Sequence, residues 1–527
     1  MLSLRARKNN AWFMEQFKRP LQRQGSSNPS NIDLATAENW LIRPELLTLL
    51  KRNCKASLSE NHLSYAGGLG GTKELLQAIS GFVNHFFSPK SLVLPEHIVT
   101  GAGCSSVIDT LLNDICDEGD GIMVTAPMWG SFQVSAVLRN GVKLIPVHVP
   151  FQDNQSADAV IQSYRTAAEG FGSRVRGILF CSPHNPYGHI FPEHIIDALL
   201  QYCEEEDLHF VSDEIYALST FGIIQPPASG LGSRFESPAS HFVSVLSRDL
   251  EKLGVSGSRV HMLYSISKDM GSSGLRLGFL VTQSNKELRM SQAILNNAKL
   301  CNAAAVMIAP ILRDERTVSR LLELNLQRLR KAAEIAIQFA EFHGLTYYNP
   351  VAGLYIWLRL SDTCKLEEEE EAIVRRCALQ GALIGSGADY AEPQPGWFRI
   401  TFALQQDRFL DGLRRIEKAM DYKKRFEAKE TGAFTLQGRL GTMRVSQCGK
   451  YIFNQEIYQL IKETEQVILE LCSIPILKSI LPRLQPDHTI WQTNPTVVLE
   501  IIVDIPPCRE YLEYVNPQQS REDHTQH

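Results

Sequence analysis

Lys268 stands in the stretch "YSISKDMGSSGLRLGF", Tyr264 to Phe279, behind Ser265 and Ser267 and ahead of Arg276. A lysine amine can join a carbonyl as a Schiff base, bind phosphate, or simply carry surface charge. Other segments narrow the choice. "VRGILFCSPHNPYG" ends a β-rich run and presents Asn185; "HFVSDEIY" ends another and presents Asp213, with Tyr216 three residues on. A buried carboxylate can keep a pyridine nitrogen protonated. An asparagine amide and a tyrosine hydroxyl are neutral donors for a phenolic oxygen. "GAGCSS" opens a helical pattern, so the backbone at Ala102, Gly103 and Cys104 can cradle a phosphate, with Ser265, Ser267 and Arg276 completing the cradle. Trp129, in "PMWGSF", can stack on a flat ring. Pyridoxal phosphate is a cofactor that needs this whole set, with Lys268 as its Schiff-base lysine.

Taken singly, each residue has an ordinary reading. Lys268 alone would be a loop lysine. Asp213 could cap a helix and Asn185 could mark a turn. Tyr216 and Trp129 could be packing residues, and His184 in "HNPYG" reads as a local loop group. The specificity lies in the set and its chain order.

These side chains need a frame that brings distant segments to one rim. From about residue 95 to 285, β-rich runs ("HIVT", "GIMVTAP", "VKLIPVHVP", "VRGILFCSP", "HFVS", "HMLYSIS", "LGFLVT") alternate with helical patterns such as "SSVIDTLLNDIC" and "PEHIIDALLQYCEEEDL". That alternation predicts an α/β fold with a mostly parallel sheet between helices, and ligands gather at the C-terminal strand ends of such sheets. Residues 286–345 read as long helices. Residues 346–425 mix strands ("GLYIWLRL", "GWFRITFA") with helices, as a smaller α+β domain.

The resulting division is a flexible, irregular arm over 1–30; an N-terminal part of the small domain and interface over 31–95; a large cofactor-binding domain over 96–310; and a C-terminal small domain over 311–428. An extension of unknown role covers 429–527, with two strands, one helix and a further strand expected in it. The acidic run Glu367 to Glu371 reads as a solvated helix face. A chain of 527 residues with 44% hydrophobic content can bury a large core, and a net charge of -5 gives no sign of nucleic acid or of a membrane surface. No apolar run is long enough to span a bilayer, and the N-terminus shows no secretory signal. The eleven cysteines form no CxxC pair, so no metal site or disulfide framework is expected, and a cytoplasmic location is.

The chain resembles the fold-type I pyridoxal phosphate enzymes of the class I/II aminotransferase superfamily, and within them the 1-aminocyclopropane-1-carboxylate (ACC) synthase-like branch. The residues that carry the resemblance are "SISKDMGSSGLR", "NPYG", "SDEIY", "GWFRITFA", "ATAENWL" and "SYAGGLGGTKELL", in family order from about residue 30 to 425. It implies an aspartate aminotransferase-like fold and a homodimer with an amino-acid substrate. It places Arg399 on the substrate carboxylate, Glu38 on the substrate side, and Tyr65 at the phosphate of the neighbouring subunit's cofactor. Glu38 could equally cap the segment that follows it. Trp129 departs from the tyrosine of plant ACC synthases, "SYAGGLGG" departs from their corresponding turn, and the loop around "QPPASGLGSRFESPAS" is expanded.

The expected activity is aminotransferase-type or carbon–sulfur lyase-type, with secondary metabolism as an expected setting. True ACC synthesis from S-adenosylmethionine is the alternative within enzymes. A non-catalytic pyridoxal phosphate-binding regulator is the alternative outside them, though regulators of this superfamily carry a DNA-binding helix-turn-helix that the first 30 residues do not show.

Overall fold

A computed structural model describes residues 2–24, 30–65, 68–150, 153, 155–225, 232–297 and 299–429, with backbone alone for 16–24. Contacts divide the chain into Met1–Gly432 and Ala433–His527. The strands and helix expected beyond residue 430 lie outside the described residues.

Seven strands form the central sheet. Their spatial order is Ile98–Ala102, Leu277–Val281, Val260–Ser265, His209–Asp213, Val175–Cys181, Gly121–Ala126 and Lys143–His148. The last five are mutually parallel. Leu277–Val281 runs antiparallel to both its neighbours. The reason lies in chain length: residues 266–276 alone join it to Val260–Ser265, whereas a parallel crossover needs about a dozen residues or more, usually a helix. That short connection is the segment that carries Lys268.

Inner strands are buried on both faces, so they read as continuous apolar runs. Alternate residues nonetheless enter different cores. Met123, Ile178, Phe180, Phe210 and Met262 join the cluster on one face. Ile122, Val124, Leu179, Val211 and Leu263 join the cluster on the other, against helix Cys104–Ile115.

The small domain has a five-stranded sheet ordered Gly385–Ser386, Trp397–Thr401, Tyr355–Arg359, Thr346–Tyr348 and Arg234–Phe235. Its core holds Phe339, Tyr347, Tyr355 and Phe398, with helix Glu315–Phe342 across it. The expanded loop therefore has a structural use, since Arg234–Phe235 pairs in parallel with Tyr347 and Tyr348. Ile32–Asp33 pairs with Ala382 and Leu383, which ties residues 30–43 to the small domain.

Two expectations are corrected. The first segment is not irregular: Leu4–Gln24 forms a helix. Its half-buried positions Ala6, Asn9, Trp12 and Phe13 fall at helical spacing, but one of them is polar, which hides the stripe from an apolar-pattern reading. Asn9 Nδ2 donates to the Leu138 carbonyl, a contact no local pattern reveals. Nor is the acidic run wholly solvated: Glu370 and Glu371 are buried. Glu370 accepts from the backbone N–H groups of Ala388 (3.0 Å) and Gly396 (2.8 Å), which offsets the cost of burying a carboxylate. No described helix is long and apolar enough to cross a membrane.

The turn bearing Lys268 is locked from beneath. Asp269 accepts from Leu218 N (2.9 Å), Ser219 Oγ (2.5 Å) and Tyr264 OH (2.9 Å), all around a fully buried carboxylate. Asn325 Nδ2 donates to the Asp269 carbonyl (3.1 Å), and Asn39 Nδ2 donates to the Lys268 carbonyl (3.2 Å) and to Asn325 Oδ1 (2.7 Å). Asp269→Ala strips three buried donors of their acceptor. It is expected to lower the unfolding free energy of the cofactor-free protein by about 3 kcal/mol in denaturant titrations. A loss below about 1 kcal/mol would show that this carboxylate does not hold the turn.

Candidate active site

A cavity of about 740 Å³ opens where the ends of the parallel strands face the small domain. Lys268, Asp213, Asn185, Tyr216, Trp129 and Arg399 all line it. Cys104, Ser267 and Arg276 line it as well. Segments more than two hundred residues apart in the chain thus converge at the rim that an α/β sheet offers for ligands.

Lys268 projects from the short helix Ile266–Asp269, and its Nζ donates to the Ala37 carbonyl at 2.6 Å. Burial, followed by the Arg399 guanidinium, pushes its amine down to about 8. Its neutral form is therefore far more accessible near neutrality than that of an exposed lysine. Asp213 ends its strand with Oδ1 buried and without a hydrogen-bond partner. Burial raises its carboxyl to about 7, against the lowering effects of the Ile215 backbone N–H and of Lys268. Its Oδ1 is thus open to a proton-bearing partner.

Arg399 comes from the middle of strand Trp397–Thr401 and is 3% exposed. Its Nη1 donates to Asn185 Oδ1 (2.9 Å), its Nη2 to the Ala35 carbonyl, and its Nε is buried without a partner. The guanidinium lies 4.9 Å from the ring centres of both Tyr355 and Tyr390. Among the described residues no carboxylate forms an ion pair with it. Tyr216 is buried edge-on against Tyr355, their ring centroids 5.5 Å apart. Burial raises its phenol well above the ordinary value, so it stands as a neutral donor. Trp129 is half-buried, with its ring edge-on to Phe132.

The other end of the cavity is built from the start of helix Cys104–Ile115 and from Arg276. Gly103 precedes that helix with φ 79°, and a Cβ there would collide with the Arg276 guanidinium. Arg276 itself is left-handed, φ 51°. Its Nη1 donates to the Ser273 carbonyl (2.9 Å) and its Nη2 to the Ala102 carbonyl (3.0 Å). Ala102 thus orients Arg276 through its oxygen. Cys104 is buried, and desolvation raises its thiol well above the usual range.

Of the residues singled out from the sequence, Ala102, Gly103, Ser265, Glu38, Tyr65 and His184 do not line the cavity. Ser265 is fully buried and donates to the Leu277 carbonyl (2.7 Å), bracing the two antiparallel strands. It also lies 2.7 Å from Ser267 Oγ. Glu38 turns its carboxylate to Ser273 Oγ (2.6 Å) and Arg43 Nη2 (2.8 Å). Burial acts to raise its carboxyl, but those two hydrogen bonds and the nearby charges of Arg43 and Lys268 prevail and lower it. Tyr65 is 94% exposed. His184 is buried, which lowers its ring to about 4, and it does not line the cavity. Sequence reading missed the Ala37 carbonyl and the tyrosines that flank Arg399. A backbone carbonyl has no residue-type signal, and Tyr355 and Tyr390 gain meaning only from their distance to Arg399.

The sheet order, the lysine on its short connection and the cavity at the strand ends together define an aspartate aminotransferase-like, fold-type I enzyme. Residues 43–416 match the model of the family "Aminotransferase class I and II". The chain belongs to that family. It is 62% identical to "Aminotransferase verI" of Clonostachys rogersoniana over 431 residues, covering 81% of this chain and 95% of that protein. It is 28% identical to "1-aminocyclopropane-1-carboxylate synthase 7" of Arabidopsis thaliana, over 76% of this chain and 90% of that one. In fold it matches the aspartate aminotransferase from Thermus thermophilus with maleate, with a TM-score of 0.62, 19% identity, and coverage of 80% of this chain and 99% of that one.

In the cofactor-free protein, amine-directed labelling of Lys268 should rise with pH through a midpoint of about 8, because the charged form does not react. Arg399→Gln removes the second cause of the depression and should move that midpoint upward. A midpoint in the range of exposed lysines, or one indifferent to Arg399, would contradict the electrostatic coupling of the two cations.

Proposed function

We propose that this chain is a pyridoxal phosphate-dependent aminotransferase acting on an α-amino acid, with Lys268 as the covalent anchor of the cofactor. The observation that carries the reading is Arg399, a buried guanidinium without a carboxylate partner, in one cavity with the depressed lysine and the unpartnered Oδ1 of Asp213. A buried arginine without an acid calls for an anionic ligand, and its planar fork suits a carboxylate.

The residues present fit the cofactor. Asp213 Oδ1 lacks a partner and suits a protonated pyridine nitrogen. The Gly103 turn, the start of helix Cys104–Ile115, Ser267 and Arg276 suit a phosphate. Asn185 and Tyr216 suit the phenolic oxygen, and Trp129 suits the ring face. When bound, pyridoxal phosphate supplies an electron sink for the carbon that loses a proton.

In this reading the protein's own groups do the following. Arg399 takes the substrate carboxylate and fixes Cα relative to Lys268. Lys268 Nζ, as a free amine beside the bound substrate, would take the Cα proton as general base. Its amine is suited to that task because its ordinary proton affinity is reduced. Asp213 holds the ring nitrogen in its protonated form. The same Lys268 amine is placed to hand that proton on, the proton movement that a transamination would need. The name of the 62% identical relative, an aminotransferase, supports this outcome over elimination or ring closure.

The form we propose is a cytoplasmic homodimer. It is supported by the exposure of Tyr65 (94%), Leu63 (83%), Leu58 (41%) and Leu69 (42%) on neighbouring segments, an apolar set that a second copy would cover. The described cysteines are all unpaired, as in a reducing compartment.

Protein incubated with pyridoxal phosphate should gain visible absorbance, and borohydride should fix the label on the peptide containing Lys268. Lys268→Ala should abolish both and lower turnover by about a thousandfold or more. Amino-acid panels offered with 2-oxo acids should yield a new amino acid. Pyruvate with ammonia and a thiol, or a cyclopropane amino acid from S-adenosylmethionine, would overturn the transaminase assignment. Arg399→Gln should raise the substrate KM by about ten- to hundredfold. A monomer in light scattering would exclude the role of Tyr65 at a neighbouring subunit.

A further inference from the structure

We propose that Glu38 is a positioning residue for the phosphate end of the site, acting through Ser273 to aim Arg276, rather than a residue that touches the substrate. The inference rests on the cofactor reading above and adds to it a residue outside the cavity.

Both carboxylate oxygens of Glu38 are already engaged. Oε1 accepts from Ser273 Oγ at 2.6 Å and Oε2 from Arg43 Nη2 at 2.8 Å. Arg43 is held in turn: its Nε donates to the Gly271 carbonyl (3.2 Å) and its guanidinium lies 3.5 Å from the centre of the Trp40 ring. The segment from 38 to 43 therefore grips the lysine-bearing connection at Gly271 and Ser273. The fit there is tight. Gly271 is left-handed at φ 62°, and a Cβ on it would meet the Asn39 carbonyl at 2.5 Å.

Ser273 is the next link. It begins the turn Ser273–Leu275, which ends on Arg276 in a left-handed conformation. That conformation is unfavourable for a side chain with a Cβ and persists only where the surroundings impose it. The Ser273 hydroxyl is tied to Glu38, while its carbonyl accepts from Arg276 Nη1. The Ala102 carbonyl holds Nη2. The Arg276 guanidinium is thus fixed between the helix start and a turn whose own position is set by Glu38. The residue before Glu38 supplies the carbonyl that Lys268 Nζ contacts. One short stretch of the first segment thereby serves the lysine through Ala37, at the cavity wall, and the phosphate arginine through Glu38, outside it.

The test compares pyridoxal phosphate with pyridoxal, which lacks the phosphate, by equilibrium binding to the cofactor-free full chain. Glu38→Gln should weaken pyridoxal phosphate binding about tenfold, as loss of a charged hydrogen bond would. It should leave pyridoxal binding within about twofold, since pyridoxal makes no use of Arg276. Ser273→Ala removes the other end of the same bond and should give the same loss of phosphate preference. The double variant should lose no more than either single one. Substrate KM at saturating cofactor should stay within about twofold, as expected where no substrate contact is lost. If both variants keep the wild-type preference for the phosphorylated form, the inference fails. If KM rises while the preference persists, Glu38 belongs with the substrate, and the inference fails in that way. A wild-type protein that binds the two forms equally would instead overturn the cofactor reading, and this inference with it.

Discussion

Lys268 and Arg399 are cations buried in one cavity, and the Arg399 guanidinium lowers the tendency of the Lys268 amine to carry charge. Asp213 faces the same space, and burial holds its carboxyl near neutrality. Like charges at close range in a poorly solvated cavity repel, and no described acid pairs with the arginine. The surrounding structure is organised to tolerate that imbalance. The Ala37 carbonyl takes the lysine, while the Asn185 amide oxygen and the Ala35 carbonyl take the arginine. These acceptors are neutral. They satisfy hydrogen bonds and leave the positive charge available for an anion.

Holding such a cavity open requires a stiff frame, and the two domains supply different parts of it. The central sheet fixes Asp213 and Asn185 at the ends of parallel strands and places Lys268 on the short antiparallel return. The small domain brings Arg399 from a strand paired on both sides. The Asn185–Arg399 hydrogen bond spans the two. Beneath the lysine, Asp269 and Asn325 gather the donors and carbonyls that the turn would otherwise bury unmatched. Above Arg399, the Tyr390 ring flanks the guanidinium, and the Tyr390 carbonyl accepts from the Met128 N–H at 2.7 Å, next to Trp129. The loop that presents Tyr390 is held by Glu370 from the acidic run.

Much of this was legible beforehand because strand ends and helix starts leave local marks. Asn185, Asp213, Lys268 and Arg276 each follow an apolar run or sit among glycines, so their convergence could be argued from an α/β sheet. The helix Leu4–Gln24 was not legible, since its half-buried stripe includes a polar asparagine. The burial of Glu370 was not legible either, since a glutamate among glutamates gives no sign of which one meets backbone N–H groups.

From residue types and order alone came the α/β class and the convergence of Asn185, Asp213, Tyr216 and Lys268 at one rim of the sheet. Those depend on periodicity and on functional groups, which are local properties of the chain. The tertiary structure decided how each group is engaged. Ser265 braces two strands, Glu38 bonds Ser273 and Arg43, and the Ala37 carbonyl receives the lysine. Hydrogen-bond partners and burial arise from contacts between distant segments, and a chain read one residue at a time contains no measure of that distance.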